Sequence, residues 1–171
     1  MTYKVGDKVI HWAYGSGDVV GLDEKSLSGQ TSQYYVVKVK DMTIWVPVSD
    51  VGESCLRPPT PARHFNRLFK LLSSPPELLS VDRFTRKNQL SELMKDRSLE
   101  SLCCLVRDLS FFKRSGKKTN ENDTAVLDHA QTILLNEWSV AFKITVDQAH
   151  QKLTELLNNY PTTTEGKPEA A

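Results

Sequence analysis

The chain has 171 residues, of which 39% are hydrophobic and 25% charged, and its formal net charge at pH 7 is +1. This composition is typical of globular proteins and excludes a chain that is disordered throughout. No apolar run approaches the roughly 18 residues that a membrane-spanning helix needs. The first residues also lack the apolar core of a secretion signal. We therefore expect a cytoplasmic protein that makes no membrane contact.

Residues that often carry chemistry do not form a recognisable catalytic or metal-binding motif. The cysteines Cys55, Cys103 and Cys104 lack the CxxC spacing of a zinc site, and three cysteines make a poor disulfide framework. The four histidines fall in four different predicted elements, and none belongs to a nucleophile motif. We expect no catalytic residue, no metal and no cofactor, and the sequence does not predict an enzyme.

The charge is unevenly distributed along the chain. Residues 1–61 carry 6 basic and 7 acidic side chains, and residues 120–171 carry 3 basic and 8 acidic ones. The middle segment, residues 62–119, carries 13 basic and 6 acidic side chains. Because it is the only strongly basic part, polyanions are expected to bind there.

Residues 1–57 have the pattern of a small β-barrel. Short runs of β-branched and aromatic residues, clearest over 34–39 and 43–48, alternate with turn segments rich in glycine and serine. Glycines at positions 15, 17 and 21 permit tight bends and a close approach of neighbouring strands. Four or five short strands in about 55 residues predict a Tudor- or SH3-like barrel.

The last clear strand carries an aromatic residue that we expect to face outward. Alternation places Ile44, Val46 and Val48 on one face and Trp45 on the other. Pro47 lacks a backbone donor, so this strand is expected at an edge of the sheet. An outward tryptophan beside an open edge is typical of partner binding by strand addition. A tryptophan that covers the barrel flank or an interdomain joint would show the same pattern.

The proline-rich segment 57–61 ends the strands, and the remainder of the chain reads as helix. Thr60 is expected to cap the first helix, with Pro61 at its first position. We predict an α+β protein in which the barrel is followed by an all-α domain of five helices over residues 61–160, with a disordered tail at 161–171. The later helices are expected at about 82–95, from 98, at about 123–142 and from 145.

The predicted second helix begins with a cluster of cations. Arg83, Arg86 and Lys87 are expected to share one helical face with Leu90, and Phe84 lies among them. Cations on one turn can neutralise DNA phosphates, and an aromatic ring can press on a sugar or base. A solvated basic face with Phe84 tucked into the core fits the same residues.

A second basic cluster contains Lys113, Arg114, Lys117 and Lys118. It lies at the end of the predicted third helix, where cations also complement the helix dipole. The dipole accounts for Lys113 and Arg114, whereas Lys117 and Lys118 fall in the loop beyond. This cluster is a second candidate for contact with the DNA backbone.

Several segments together resemble the CarD/CdnL family of bacterial transcription regulators. Near the N-terminus these are YKVGDKVI at 3–10, YGSGDVV at 14–20, YYVVKV at 34–39 and TIWVPV at 43–48. In the helical part, LVRDL at 105–109 and AQTIL at 130–134 are similar as well. The likeness extends over residues 3–157, and the N-terminal module also occurs in the transcription-repair coupling factor.

The resemblance implies a fold, two partners and the residues that contact them. The N-terminal domain would bind the RNA polymerase β subunit, with contact positions at Lys25, Leu27 and Trp45. Relatives often have arginine in place of Trp45. The helical domain would contact the DNA backbone just upstream of the melted promoter region, through Arg83, Arg86 and Lys87.

The sequence departs from the family at the start of the basic helix. Many relatives have a tryptophan there that wedges into the minor groove, whereas residues 76–90 contain none. The position falls on Val81, Asp82 or Arg83, and Phe84 is the nearest aromatic residue.

The sequence thus predicts a polymerase accessory factor that modulates open-complex stability and contacts DNA without sequence specificity. It would be monomeric when free and associated with the nucleoid through the polymerase. An alternative hypothesis is an adaptor on RNA polymerase whose helical domain binds another protein rather than DNA.

Overall fold

The computed structural model describes residues 2–50 and 55–161. An antiparallel sheet comes first and five helices follow, which confirms the predicted α+β class. The expected disordered tail, apart from Pro161, lies outside the described residues. No helix in the described ranges has the length and apolarity needed to cross a membrane. The strands are β1 Lys8–His11, β2 Gly15–Leu27, β3 Gln30–Val39, β4 Met42–Pro47 and β5 Leu56–Arg57. The helices are α1 Phe65–Ser73, α2 Arg83–Lys95, α3 Leu99–Arg114, α4 Glu121–Phe142 and α5 Val146–Asn158.

The sheet has the order β4-β3-β2-β1-β5 and all its described pairs are antiparallel. Its long β2–β3 hairpin turns at Ser28 and Gly29, and both have positive φ, as the commonest two-residue hairpin turn requires. β4 and β5 are the two edges and do not pair within the described residues, so this Tudor-like sheet is open. As the alternation predicted, Val46 is buried and Trp45 exposed.

The inward side chains of the sheet form one hydrophobic cluster and the helices form another. The sheet cluster is built around Tyr35, with Val9, Val37 and Val46. The helical cluster has α3 at its centre, because α1, α2, α4 and α5 all pack against it.

Side-chain caps define the starts of four helices. Asp82, Ser98, Asn120 and Thr145 each accept a hydrogen bond from the backbone N–H three residues later. Asn120 and Thr145 belong to complete capping boxes. The start of α5 after Thr145 agrees with the helix expected from residue 145. The fourth helix starts earlier than expected because the Asn120 cap was not anticipated.

The prediction that Thr60 caps the first helix is wrong. A short 3-10 turn, Ala62–His64, precedes α1, and Pro61 at its cap position provides no side-chain hydrogen bond. The Thr60 hydroxyl instead donates to the Glu137 carboxylate on α4 at 2.6 Å, and the Thr60 N–H donates to the same carboxylate at 3.0 Å. The Thr60 side chain therefore binds a carboxylate that is distant in the sequence and does not cap the helix.

Glu137 joins the sheet to the helices. Its carboxylate is fully buried and accepts two guanidinium hydrogen bonds from Arg57, which ends β5, in addition to those from Thr60. We call Arg57, Thr60 and Glu137 the interdomain clasp. Close by, the Arg97 guanidinium stacks over the Trp12 ring at 4.7 Å. The clasp fixes the connection between the sheet and α4 with charge-assisted hydrogen bonds.

Candidate functional site

The first candidate surface lies on the outward face of the sheet around Trp45. The register pairs Gly21 with Val36 and Val36 with Trp45, so alternate residues of β2 share this face with Trp45. Those residues include Asp23, Lys25 and Leu27. We call Asp23, Lys25, Leu27 and Trp45 the Trp45 face. The structure therefore brings the three predicted partner-binding residues onto one side of the sheet.

The polar contacts of the Trp45 face hold the indole in an open position. The Trp45 Nε1–H donates to Asp23 Oδ2 at 3.0 Å, and the Lys25 ammonium lies 4.1 Å from the ring centroid. A cation over an indole ring is attracted by the electron-rich ring face. Even so, 44% of Trp45 is exposed, so much of the ring is available to a partner.

The edge strand β4 adds a second mode of contact beside this face. β4 pairs only with β3 among the described strands, so its other side presents backbone N–H and C=O groups that lack strand partners. Pro47, its last residue, limits how far a ladder can extend in that direction. An extended peptide from a partner could add to this edge and place side chains against Trp45.

The second candidate surface lies at the start of α2 and is formed by Arg83, Phe84 and Lys87. All three are exposed, Phe84 to 64%, and the Arg83 guanidinium stacks over the Phe84 ring at 4.6 Å. We call these residues the α2 surface. The alternative in which Phe84 is tucked into the core is wrong, because Arg86 and Leu90 face the core instead.

Asp82 lies next to the α2 surface and is the N-cap of α2. Its Oδ2 accepts hydrogen bonds from the backbone N–H and the hydroxyl of Thr85, at 2.8 and 2.9 Å. The hydrogen bond from the Thr85 N–H is the main reason that the pKa of the Asp82 carboxyl lies below its ordinary value. The carboxylate therefore stays ionised beside Arg83, which reduces the positive potential of this surface.

Arg86 is a correction to the predicted DNA contacts. Only 2% of Arg86 is exposed, and its Nε and Nη2 donate to Asp123 Oδ2 at 3.0 and 2.8 Å. Its Nη1 donates to the carbonyl oxygens of Ser80 and Val81. A guanidinium with these partners stabilises the junction of α2 and α4 and cannot reach a phosphate.

Of the cations at the end of α3, some face solvent and one holds neighbouring helices together. Lys113 is exposed, whereas the Arg114 guanidinium donates to the Leu157 carbonyl at 2.8 Å and to Asn158 Oδ1 at 3.1 Å. Arg114 thereby ties α3 to the end of α5. Lys117 lies 5.4 Å from the Phe112 ring, and Arg86 packs on the same ring. Lys117 is therefore close to α2, where it can extend the positive potential of the α2 surface.

Comparisons with known proteins found two similarities. Residues 3–59 match the family described as CarD-like/TRCF RID domain. The N-terminal sheet region is therefore similar to this domain. It is also 26% identical over 151 residues to the Bacillus subtilis (strain 168) protein named "Putative transcription factor YdeB". That similarity covers 85% of this chain and 96% of the relative, and so extends into the helical part.

Sequence reasoning missed two kinds of residue. The first is Asp23, which accepts the hydrogen bond from the Trp45 indole. It could have been found from its position two residues before Lys25, which places both on the same face of the strand. Leu78 and Val81, in the connection before α2, are 74% and 76% exposed. The sequence at 78–81, just before the Asp82 N-cap, does not indicate which of its apolar side chains face solvent. Together with Phe84 they make the approach to α2 unusually apolar.

Proposed function

We propose that this chain is a non-enzymatic bacterial transcription regulator that binds the RNA polymerase β subunit and promoter DNA at the same time. The Trp45 face and the β4 edge would bind the β subunit. The α2 surface, with Lys113 and Lys117, would contact the DNA backbone without sequence specificity. Its effect would be on the stability of the open complex, and it would act in the cytoplasm, on the nucleoid.

The observation that carries this proposal is the half-exposed Trp45 beside an open edge strand. Large aromatic side chains at the centre of an interface often contribute most of the binding free energy. Lys25 and Asp23 already hold the indole in place, so little side-chain entropy would be lost when a partner covers it. Leu27, on the same face and at the tip of the hairpin, would widen the contact.

The DNA contact can be weak and still be occupied. Phosphate contacts from Arg83 and Lys87 position a protein but carry no sequence information. Once the sheet is bound to the polymerase, the DNA contact becomes intramolecular and benefits from a high effective concentration. Phe84 provides an exposed aromatic ring near the position at which many relatives have a wedge tryptophan, and we propose that it packs against the minor groove.

A pull-down with purified β subunit tests the protein contact. Trp45→Ala should reduce retention of the chain, because the anchor side chain is lost. Leu22→Ala is the matched control, since Leu22 is an exposed apolar residue of the same sheet whose partner Tyr35 faces the core. Equal retention of wild type and Trp45→Ala would count against the assigned surface.

The exposed apolar residues before α2 favour a second candidate function, an adaptor whose helical part binds a protein. Leu78, Val81 and Phe84 expose apolar area of the kind found at protein interfaces. Promoter footprints of the polymerase complex with wild type and with Arg83→Glu/Lys87→Glu separate the two functions. A footprint shortened by the charge reversal supports the DNA contact, and identical footprints would favour the adaptor.

A further inference from the structure

A third cationic surface lies on α1 and on the 3-10 turn before it. Arg63, Arg67 and Lys70 are all exposed and follow one another at spacings of four and three residues. Arg67 and Lys70 lie on the side of α1 opposite the buried residues Phe65, Leu68 and Leu72, and Arg63 precedes them in the 3-10 turn. With a rise of about 1.5 Å per residue, the three cations extend over roughly 10 Å. We call them the α1 stripe.

Within residues 2–50 and 55–161, no carboxylate pairs with the α1 stripe. α1 contains no acidic residue, and none of the three cations forms an ion pair within the described residues. By contrast, Arg57, Arg86 and Arg107 each have a carboxylate partner. The three cations are therefore exposed and have no ion-pair partner in the part of the chain that the structure describes.

The chemistry of the stripe selects the class of partner. Protein interfaces are usually centred on aromatic or aliphatic anchors and are depleted of charge at the core. Within the described part of the chain, residues 62–74 include no large hydrophobic side chain among the exposed ones. Long flexible cations around the amide of Asn66 instead suit a row of phosphates, which needs charge and hydrogen-bond donors without a pocket.

We propose that the α1 stripe is a second nucleic-acid backbone site, separate from the α2 surface. α1 contacts Trp138 and Phe142, near the end of α4, whereas Arg86 of α2 pairs with Asp123 at the start of α4, so the two surfaces lie toward opposite ends of that helix. The chain would then touch duplex DNA at two separate places on the helical bundle. This inference extends the proposed function, but it depends on residues that the proposed function does not use.

Binding of the full chain to a labelled duplex of arbitrary sequence, measured by fluorescence anisotropy at several salt concentrations, tests the proposal. Arg63→Gln/Arg67→Gln/Lys70→Gln keeps helix propensity while removing three charges. If the stripe contacts two or three phosphates, the slope of log affinity against log salt should fall by about 2 to 3. The control variant Lys4→Gln/Lys38→Gln/Lys152→Gln removes three exposed charges elsewhere and should change the slope little.

The variant Arg83→Gln/Lys87→Gln, measured in parallel, separates the two proposals. If the slope falls for the Arg83/Lys87 variant but not for the α1 stripe variant, the α1 site is overturned and the proposed function stands. If it falls only for the α1 stripe variant, the α1 site is supported and the α2 surface is removed from the proposed function. A fall no larger than that of the control triple also overturns the α1 site. So does an unchanged slope combined with weaker binding to DNA-free polymerase, because the stripe would then be a protein contact. Matching free energies of unfolding show that each variant is folded.

Discussion

Arg86 and Lys87 are adjacent cations on α2 with opposite environments. The Arg86 guanidinium is buried against Asp123, of which 1% is exposed, whereas Lys87 is open to solvent. Removing one member of a buried ion pair leaves the other charged group without compensation, and that loss exceeds the net contribution of the intact pair. An exposed lysine has no such dependence.

Arg86→Ala should therefore lower the free energy of unfolding by about 3–5 kcal/mol, because Asp123 would remain buried without its cation. Lys87→Ala, the matched control, should change it by less than about 0.5 kcal/mol. Urea unfolding followed by circular dichroism measures both. Similar values for the two variants would show that the Arg86–Asp123 pair is not a structural requirement.

His11 should make stability depend on pH near neutrality. Burial, and next the positive charge of Arg97, lower the pKa of the His11 imidazole from its ordinary value of 6.5. Its Nδ1 also accepts the Ala13 N–H at 3.1 Å, which a protonated Nδ1 could not do. The unfolded chain takes up the proton first as the pH falls. The stability that the neutral His11 imidazole contributes is thus fully present above pH 6.5. It declines as the pH falls from there toward the pKa of His11 in the folded chain.

His11→Gln should reduce the loss of stability that the wild type shows when the pH is lowered through this range. Unfolding free energies measured at several pH values on either side of 6.5 test the effect. His150→Gln, an exposed substitution on α5, serves as the control and should keep the wild-type pH dependence. An identical pH dependence in wild type and His11→Gln would refute the assignment.

At the scale of elements, β2 depends on a glycine for close packing rather than for an unusual backbone angle. A Cβ on Gly17 would lie 2.8 Å from the Lys38 carbonyl oxygen and from methyl carbons of Val37 and Val39. A Cβ on Gly21, in the same strand, would have its nearest neighbour at 3.9 Å, on Val36. Only the first glycine is required by its surroundings.

Gly17→Ala should destabilise the chain by about 1–3 kcal/mol, because either the β2–β3 spacing or the core valines must shift. Gly21→Ala should be neutral or slightly stabilising, since it meets ordinary van der Waals distances. Thermal unfolding of the two variants compares them directly. A Gly17→Ala variant as stable as Gly21→Ala would mean that the strands adjust without cost.

Most elements were predictable from the sequence because local signals determine them. The alternation around Trp45 and the helix starts expected near 82, 98 and 145 all depend on residues within four positions of each other. The predictions for Thr60 and Arg86 failed because their partners, Glu137 and Asp123, are 77 and 37 residues away. A local pattern cannot reveal a distant carboxylate.

At the scale of the whole molecule, the interdomain clasp connects two separate hydrophobic clusters. Glu137→Gln would retain the side-chain shape but leave the Arg57 guanidinium without its counter-charge. We expect a loss of about 3 kcal/mol, at the low end for a broken buried pair, because Arg57 is partly open to water. Faster tryptic cleavage after Arg63, next to the linker, should accompany it.

Urea unfolding and a time course of limited trypsin digestion measure these two effects. Glu155→Gln, an exposed change of the same kind on α5, should leave both unchanged. If Glu137→Gln digests at the wild-type rate, the clasp does not restrain the linker.

The clasp has a consequence for the kind of information that the chain can transmit. Because the sheet is anchored directly to α4, the separation between Trp45 and Phe84 is set by the folded structure and is not an average over a flexible tether. Under the proposed function, the helices would meet the duplex at one set distance from the polymerase. The helices would then contact the backbone at a fixed number of base pairs from the polymerase. Which bases lie at that position would not matter.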